Sequence, residues 1–212
     1  MKLLILGAAG QISRMLTQRL LNETDDDLVL YARQAESRIK NTDSARITLV
    51  SGDFNNQALL EKAMTGVDVV YLNDMNSPKA TETIIAAMKK QNVPWIIGAT
   101  ILGIYDEVAG AFGKWNARMV GEESTRRHRE ASEIIENSGL NYSLLRLTWL
   151  YNEPGNLSYT LSQKGEPFIG AEVSREAVTQ LVMDILNDLE SYKNTSLGVS
   201  EPNTDFPKPS FY

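Results

Sequence analysis

The sequence MKLLILGAAGQISRMLTQRL, residues Met1 to Leu20, carries the strongest local signal for the architecture of the chain. Lys2 to Leu6 is a short apolar run that ends at a glycine, which favours a strand over a buried helix. From Gln11 onward apolar residues recur at helical spacing, so a helix is predicted to begin there. A strand, a glycine turn and a helix in this order aim backbone N–H groups and the positive helix end at an anion, typically a phosphate.

The predicted turn consists of small residues. Gly7 lets the chain turn sharply off the strand, and Gly10 lets the backbone approach a diphosphate without a Cβ in the way. The third position of such a turn, where helix meets strand, is Ser13. An ordinary turn that uses glycine only for clearance is the alternative. The residues expected to hold a diphosphate are Gly7, Ala9, Gly10, Gln11 and Ile12.

Composition narrows the class of protein. A length of 212 residues suits one α/β domain with a small appended lobe. The sequence has no cysteine, which excludes disulfides, thiol catalysis and cysteine-ligated metals. His128 is its one histidine, so a histidine metal site or a Ser-His-Asp triad is not expected.

Charge and hydropathy indicate where the protein works. The net charge is −6 with both signs interspersed, which argues against nucleic-acid binding through a basic face. No apolar run approaches the roughly 20 residues of a membrane span, and the N-terminal run is too short for a signal peptide. We therefore expect a cytoplasmic protein that acts on a small molecule.

Strand and helix patterns alternate along the rest of the chain. Further strands are predicted at 28–31, 47–50, 67–72, 93–98, 142–147 and 195–199. Helices are predicted at 55–64, from Pro78 to about 91, at 122–137 and at 173–189, with a short helix allowed in the polar segment 33–43. Asn55 or Asn56, and Ser174, are expected to cap two of them. This alternation predicts a doubly wound parallel sheet with its ligand crevice beyond the carboxyl ends of the strands.

Two regions break the alternation. Residues 100–119 have little periodicity and are predicted to form a long functional loop. Residues 151–155 read as a turn, and short strands are expected at 157–161 and 167–169. Segments 151–173 and 195–212 are predicted to form a small substrate-side lobe of one domain that spans residues 1–212.

The chain resembles the atypical short-chain dehydrogenase/reductase superfamily, and within it the small NmrA-like, NAD(P)H-binding members. The matching stretches, in chain order, are Leu4-Ile5-Leu6-Gly7-Ala8-Ala9-Gly10, Tyr31-Ala32-Arg33, Ser51-Gly52-Asp53, Ser138-Gly139-Leu140-Asn141-Tyr142 leading into Leu145-Arg146, and Val173-Ser174-Arg175-Glu176-Ala177-Val178. The resemblance implies a Rossmann-like sheet that binds a dinucleotide, with a variable substrate lobe.

The end of the second strand favours NADP(H) over NAD(H). NAD-binding sheets usually place a carboxylate there for the ribose 2′-hydroxyl, but Tyr31-Ala32 supply none. Arg33 follows, and a guanidinium suits a 2′-phosphate. Arg14 is predicted as a second clamp. For both arginines the alternative is a solvated surface cation.

The resemblance assigns further cofactor contacts along the chain. It implies that Asp53 meets the adenine edge with Phe54 beside it, although Asp53 could instead be a helix cap. Asn73 would pass under the cofactor. Thr100 would lie beside the nicotinamide, and Thr148 would form a wall of its site together with Trp149, which is equally plausible as core packing.

The usual Tyr-x-x-x-Lys pair of the superfamily is missing. Its places fall near Thr125 and Arg129, where threonine is a poor acid and arginine does not release its proton. Tyr105 is followed four residues later by Ala109, so it does not restore the motif. Thr100, Tyr105 and His128 are the remaining catalytic candidates, and Arg129 takes the place of the ribose-holding lysine. For His128 an exposed helical side chain is the alternative.

Two functions from different classes follow. The first is an NADPH-dependent oxidoreductase that passes a hydride to a small conjugated acceptor, such as a quinone, a flavin or an enal, bound between Tyr105, Trp115, Trp149 and Tyr151. The second is a non-catalytic NAD(P) sensor that regulates a partner, which the missing pair favours. A sugar-nucleotide epimerase fits less well, because the C-terminal lobe is short. The helices at 78–91 and 122–137 could pair in a homodimer, as in relatives.

Overall fold

The opening strand, turn and helix are formed as the sequence predicts. In the computed structural model, which describes residues 1–40 and 44–212, strand β1 is Lys2–Leu6 and helix α1 is Gln11–Glu23. Leu3 to Leu6 are fully buried, because the strand is covered on both faces. The short predicted helix in 33–43 is α2, Ala35–Arg38, and residues 41–43 lie outside the described part of the chain.

The remaining elements follow the predicted alternation. The strands are β2 Asp27–Ala32, β3 Ile47–Ser51, β4 Val69–Leu72, β5 Trp95–Ile101, β6 Asn141–Leu147, β7 Trp149–Tyr151, β8 Thr160–Ser162, β9 Glu172–Ser174 and β10 Thr195–Ser200. The helices are α3 Gln57–Ala63, α4 Pro78–Gln91, α5 Gly110–Val120, α6 Glu122–Glu136 and α7 Arg175–Asn187, with a 3₁₀ turn at Leu189–Tyr192. The side chains of Asn56, Ser77 and Ser174 cap α3, α4 and α7.

Eight strands form the main sheet in the order β3-β2-β1-β4-β5-β6-β10-β8. All neighbours are parallel except β8, which runs antiparallel to β10. The doubly wound parallel sheet is therefore confirmed. The strand order reverses between β1 and β4, and in such sheets the ligand crevice lies outside the carboxyl ends of the strands at this point.

Two hydrophobic layers sandwich the sheet. Alternate residues of β1 point to opposite faces, so Leu3 and Ile5 pack with α1 and α7, whereas Leu4 and Leu6 pack with α3 and α4. Helices α4 and α6 lie against each other on this second face. Gly7 and Asn73, which directly follow β1 and β4, line a cavity at the carboxyl ends of these strands.

The stretch 100–119 was predicted as irregular throughout, and this is wrong for its second half, which is helix α5. The glycines made a helix look unlikely, but there is a steric reason for glycine within α5. A Cβ on Gly113 would collide with the carbonyl oxygen of Val108, so the helix needs glycine where the preceding loop crosses it. One of its buried side chains is the polar Asn116, which hides the apolar periodicity.

The region of the predicted lobe is built differently from the expectation. Strands β8 and β10 join the main sheet, and β7 pairs with β9 in a separate two-stranded sheet. The predicted strand at 167–169 is absent. Ile169 is 61% exposed, so the apolar residue that suggested a strand is not part of the core. The predicted turn at Tyr151 is the end of β7, since pairing with β9 holds it extended.

Candidate functional site

The turn after β1 needs glycine at two places for different reasons. Gly7 has φ +81°, a left-handed conformation that other residues rarely adopt. The amides of Gly7 and Ala8 both donate to the carbonyl oxygen of Tyr31, at 3.0 and 3.1 Å. At Gly10 a Cβ would lie 2.5 Å from Nδ2 of Asn73, so the side chain after β4 packs directly on the turn.

The N-terminus of α1 is open toward the cleft. Its cap residue Gly10 supplies no side-chain hydrogen bond, and the first turn contains no acidic residue. The first N–H groups of a helix have no intrahelical acceptor, and with the helix dipole they favour an anion. Ser13 is fully buried, and its hydroxyl has no hydrogen-bond partner among the described residues. The uncapped first turn of α1, with Gly10 and Gln11 lining the cleft, fits a bound diphosphate.

One half of the cleft is a cavity of about 350 Å³, which we call the Arg33 cavity. It contains both sides of the glycine turn, the end of β2 and the segment after β3. Its lining residues are Gly7, Ala9, Gly10, Ala32, Arg33, Arg38, Gly52, Asp53, Phe54, Asn55, Asn73, Asp74, Ser77 and Ala80. Two guanidinium groups and a phenyl ring thus line one cavity beside the turn.

The second arginine of this cavity is Arg38, not Arg14. Arg38 Nη1 donates to the carbonyl oxygen of Arg33 at 3.3 Å. The Arg14 guanidinium donates to the carbonyl oxygen of Arg38, also at 3.3 Å, and lines a separate cavity of about 260 Å³. Arg14 does not line the Arg33 cavity, so its role as a 2′-phosphate clamp stays a prediction.

Asp53 and Phe54, predicted to meet the adenine, both line the Arg33 cavity. The Asp53 carboxylate accepts the Asn55 amide at 2.7 Å, and its carbonyl oxygen accepts the Tyr31 hydroxyl at 2.7 Å. The cap of α3 is Asn56, so Asp53 is not a helix cap. The ring of Phe54 lies 6.0 Å from that of Tyr31, centroid to centroid. Both residues therefore form a fixed wall of the Arg33 cavity.

The other half of the cleft is a cavity of about 460 Å³, which we call the His128 cavity. It shares Asn73 and Asp74 with the Arg33 cavity, so the two form one continuous cleft along the carboxyl ends of the strands. Its lining residues are Gln11, Ile12, Asn73, Asp74, Ala99, Thr100, Ile101, His128, Leu147, Thr148, Leu150 and Arg175. Six predicted site residues thus converge here.

Thr100 and His128 form a polar pair in this cavity. The Thr100 hydroxyl lies 3.3 Å from His128 Nδ1, and the two residues are 2% and 7% exposed. His128 is therefore not the exposed side chain of the alternative interpretation. Burial lowers the pKa of His128, against an opposing effect of the Asp74 carboxylate. The imidazole is thus neutral at pH 7, and its ring can hydrogen-bond the threonine hydroxyl.

The lowered pKa of His128 predicts a pH dependence of stability. The unfolded chain takes up the proton near pH 6.5, whereas the folded chain resists it, so stability is full above that pH and falls as the pH decreases. His128→Asn should flatten this dependence between pH 5 and 7. Urea unfolding of both proteins across this range measures it, and parallel curves for the two would contradict the assignment.

Thr148 and Asn73 are held by bonds to the surrounding backbone and side chains. The Thr148 hydroxyl donates to the carbonyl oxygen of Gly170 at 3.1 Å. The Asn73 amide oxygen accepts the Tyr71 hydroxyl at 3.1 Å, which leaves Nδ2 against Gly10. Both residues therefore present fixed polar groups to the cleft.

Tyr105 and Arg129, predicted at the site, lie elsewhere. The Tyr105 hydroxyl donates to Glu136 at 2.7 Å, and burial together with that carboxylate raises its pKa. Arg129 binds the carbonyl oxygen of Ile104 and the carboxylate of Asp106. Neither lines the cleft. For Arg129 the reason is that one residue along α6 turns a side chain by about 100°, and His128 takes the inward position.

The aromatic acceptor site predicted from Tyr105, Trp115, Trp149 and Tyr151 is also not formed. The Trp115 and Trp149 rings contact each other at 4.8 Å, and Tyr212 lies edge-on to both at 5.1 Å. The Trp149 indole N–H donates to Asn116 at 2.9 Å. This cluster packs the C-terminal segment and does not line the His128 cavity, so Trp149 serves packing.

A loop held by a buried ion pair borders the site. Residues 102–109 follow β5, and Glu107 accepts Arg146 Nη1 at 2.6 Å with side-chain exposures of 4% and 0%. Glu107 also accepts the amides of Gly103 and Tyr105. Arg146 Nη2 donates to the carbonyl oxygens of Ser162 and Ser196 at 3.1 Å each. The loop is therefore tied to the far edge of the sheet.

A larger cavity of about 700 Å³ lies between α5 and α6. Its lining includes Thr125 and Arg129, the positions matched above to the missing pair, but no residue of the glycine turn. It shares no lining residue with the cleft. Position at the switch of strand order, more than volume, therefore identifies the functional cleft.

Sequence reasoning missed Arg38, Asp74 and Arg175 as cleft residues. Arg38 stands five positions after Arg33 in the same polar segment, and Arg175 directly follows the predicted cap Ser174. These were the available signals. In the described ranges 1–40 and 44–212, no cluster of His, Asp and Glu could hold a metal, and no helix is long and apolar enough to cross a membrane.

A family model and two similar solved structures agree in their descriptions, each of which names NAD(P)H, NADP or NAD(P). Residues 7–189 match the family described as NAD(P)H-binding. A short-chain dehydrogenase/reductase (wide type) of Veillonella parvula, solved in complex with NADP, is 39% identical over 99% of both chains with a TM-score of 0.96. A Rossmann-fold NAD(P)-binding family protein of Shigella flexneri is 34% identical over 100% of this chain and 98% of that one, with a TM-score of 0.82.

Among curated proteins, the chain is similar to a (4-alkanoyl-5-oxo-2,5-dihydrofuran-3-yl)methyl phosphate reductase of Streptomyces griseus. The two are 25% identical over 146 residues, which is 68% of this chain and 46% of the relative. The chain therefore matches about half the length of that protein.

Proposed function

The chain belongs to the NAD(P)H-binding family and to the short-chain dehydrogenase/reductase superfamily, and from this premise we propose that it is an NADPH-dependent oxidoreductase. Its acceptor would be a small conjugated molecule of quinone, flavin or enal type. The resemblance inferred from the sequence is confirmed at the level of the family. The reductase name of the Streptomyces relative supports the reductive direction.

One observation carries the proposal. The open N-terminus of α1 and the Thr100–His128 pair line one cleft, on opposite sides of the switch in strand order. When bound, the dinucleotide supplies a hydride. The amides at the turn would hold its diphosphate, and Arg33 and Arg38 would hold a 2′-phosphate, which is the basis for proposing NADP(H) over NAD(H).

Thr100 and His128 would orient the acceptor. In the tautomer with its proton on Nδ1, neutral His128 donates to the Thr100 oxygen, so the Thr100 hydroxyl keeps its own proton to donate to an acceptor oxygen or nitrogen. The lining of the His128 cavity contains neither tyrosine nor lysine. The proposal therefore favours acceptors that take their proton from solvent, for which positioning supplies most of the rate.

The test is NADPH oxidation, followed by absorbance, against a panel of quinones, flavins and enals. We expect turnover on at least one class, and Thr100→Val should lower kcat at least tenfold, as is usual when one positioned hydrogen-bond donor is lost. Thr83→Val, which removes an exposed hydroxyl on α4, is the matched control. No turnover with any acceptor would contradict the proposed activity.

Gly10→Val should weaken NADP⁺ and NAD⁺ alike. Its branched side chain would occupy the space where Asn73 packs on the turn and where the diphosphate would lie. We expect at least a tenfold rise in both dissociation constants, measured by titration calorimetry. If the variant bound both cofactors normally, the assignment of the diphosphate to this turn would be wrong.

The second candidate is a non-catalytic NAD(P) sensor. The absence of tyrosine and lysine from the His128 cavity favours it. It predicts very different affinities for NADP⁺ and NADPH, together with a partner protein bound in one state only. Pairing of two copies through the outward faces of α4 and α6, and a cytoplasmic location, stay proposals.

A further inference from the structure

Arg175 is a cation of the His128 cavity that pairs with no acidic side chain in the described part of the chain. It is the first residue of α7, directly after the capping Ser174. Its Nη1 donates to the amide oxygen of Asn152 at 3.1 Å. None of the ion pairs found within residues 1–40 and 44–212 includes it. One of its five N–H donors is thus used by the described chain.

The surroundings of Arg175 make this arrangement informative. Burial alone lowers the pKa of its guanidinium, and no nearby carboxylate opposes the effect. A desolvated cation without a counter-charge is unfavourable, and proteins keep such groups where a ligand pairs with them. The buried Arg146, by contrast, is paired with Glu107 and two carbonyl oxygens.

Asn152 holds the guanidinium in place. Its amide oxygen accepts from Arg175, and its Nδ2 donates to the Gln11 side chain at 3.4 Å. Gln11 is the first residue of α1 and lines the same cavity. A chain of side chains therefore joins the starts of α7 and α1 and fixes the position of Arg175 in the lining of the His128 cavity.

Arg175 lies in a different half of the cleft from the two arginines proposed to bind the 2′-phosphate. Arg33 and Arg38 line the Arg33 cavity, whereas Arg175 lines only the His128 cavity, with Thr100 and His128. The one acidic side chain of that cavity, Asp74, lies at the boundary of the two halves and accepts the Asn76 amide at 2.9 Å. The hydride end of the cleft thus has an unpaired cation.

We propose that the acceptor carries a carboxylate or phosphate group that the Arg175 guanidinium binds. This inference rests on the proposed oxidoreductase function and names the substrate class of its site. The fork of a guanidinium matches the two oxygens of either anion. Arg175 is therefore the specificity-determining residue, and Thr100 and His128 contact the part of the acceptor that is reduced.

Binding of unreactive probes tests the proposal apart from turnover. Protein saturated with NADP⁺ is titrated by calorimetry with 2-naphthoate, 2-naphthyl phosphate and 2-naphthamide, which share one ring system and differ in charge. We expect both anions to bind at least tenfold more tightly than the amide, as charged hydrogen bonds allow. Arg175→Gln should abolish this difference, and Arg175→Lys should retain part of it.

Arg118→Gln is the matched control, since Arg118 is exposed on α5 and lines neither half of the cleft. Equal binding of anions and amide by the unaltered protein, or no anion binding at millimolar concentration, would overturn the proposal. It would also fail if Arg175→Gln weakened NADP⁺ binding but kept the preference for anions, since Arg175 would then belong to the cofactor. Failure of the proposed function is detected in a separate experiment, the NADPH oxidation assay, as absence of turnover.

Discussion

Glu107→Ala is expected to lower the free energy of unfolding by about 3–5 kcal/mol, the usual cost of leaving one partner of a buried ion pair alone. The change strands the Arg146 guanidinium, whose side chain is fully buried. It also removes the acceptor of the Gly103 and Tyr105 amides, so the attachment of residues 102–109 to the sheet is weakened. Equilibrium unfolding in urea, with the midpoint and slope compared, measures the loss.

An exposed pair provides the control for this experiment. Lys79 and Glu82 lie 3.6 Å apart on α4, with side-chain exposures of 80% and 57%. Glu82→Ala should therefore change stability by less than about 1 kcal/mol, as exposed pairs do. If Glu107→Ala cost no more than Glu82→Ala, the buried pair would not hold the loop.

Replacing both Arg33 and Arg38 by alanine should weaken NADP⁺ binding by roughly 100-fold and leave NAD⁺ binding unchanged. Each guanidinium would form charged hydrogen bonds to the 2′-phosphate, each worth about 1.5–3 kcal/mol, and these are not fully additive. NAD⁺ has no such phosphate and loses nothing. Calorimetric titration of both cofactors against both proteins gives the two ratios.

Arg14 supplies the matched control for the arginine pair. Its guanidinium binds the carbonyl oxygen of Arg38 and does not line the Arg33 cavity, so Arg14→Ala should keep the NADP⁺ preference. Equal affinities of the unaltered protein for NADP⁺ and NAD⁺ would contradict the inference that the residues at the end of β2 select NADP⁺. If Arg14→Ala lost the preference for NADP⁺ and the double variant of Arg33 and Arg38 kept it, Arg14 on α1 would be the ligand of the 2′-phosphate.

The parts of the fold that depend on neighbouring residues were predictable from the sequence. The run Lys2–Leu6, the glycines and the helical spacing after Gln11 lie within one short segment, so local chemistry determines strand, turn and helix. The cap at Ser174 follows from the same kind of local signal. Alternation of such segments then restricts the topology to a doubly wound sheet.

The parts of the cleft that depend on contacts between distant segments were not predictable. His128 and Arg129 are adjacent in sequence, and only the packing of α6 decides which one meets Thr100. Arg14 and Arg38 are both plausible anion ligands until the path of the chain after β2 is known. Tyr105 was a candidate because its loop follows β5, but Glu136 holds its hydroxyl away from the cleft.

The antiparallel strand β8 at one edge of the main sheet affects how copies of the chain can associate. It has three residues, and the Thr160 hydroxyl lies within hydrogen-bonding distance of Ser200 on the neighbouring strand. An edge this short offers an incoming chain few unpaired amides and carbonyls, which is how natural sheets resist end-to-end polymerisation. Fibre-like growth through this edge is therefore disfavoured, even when the protein is concentrated.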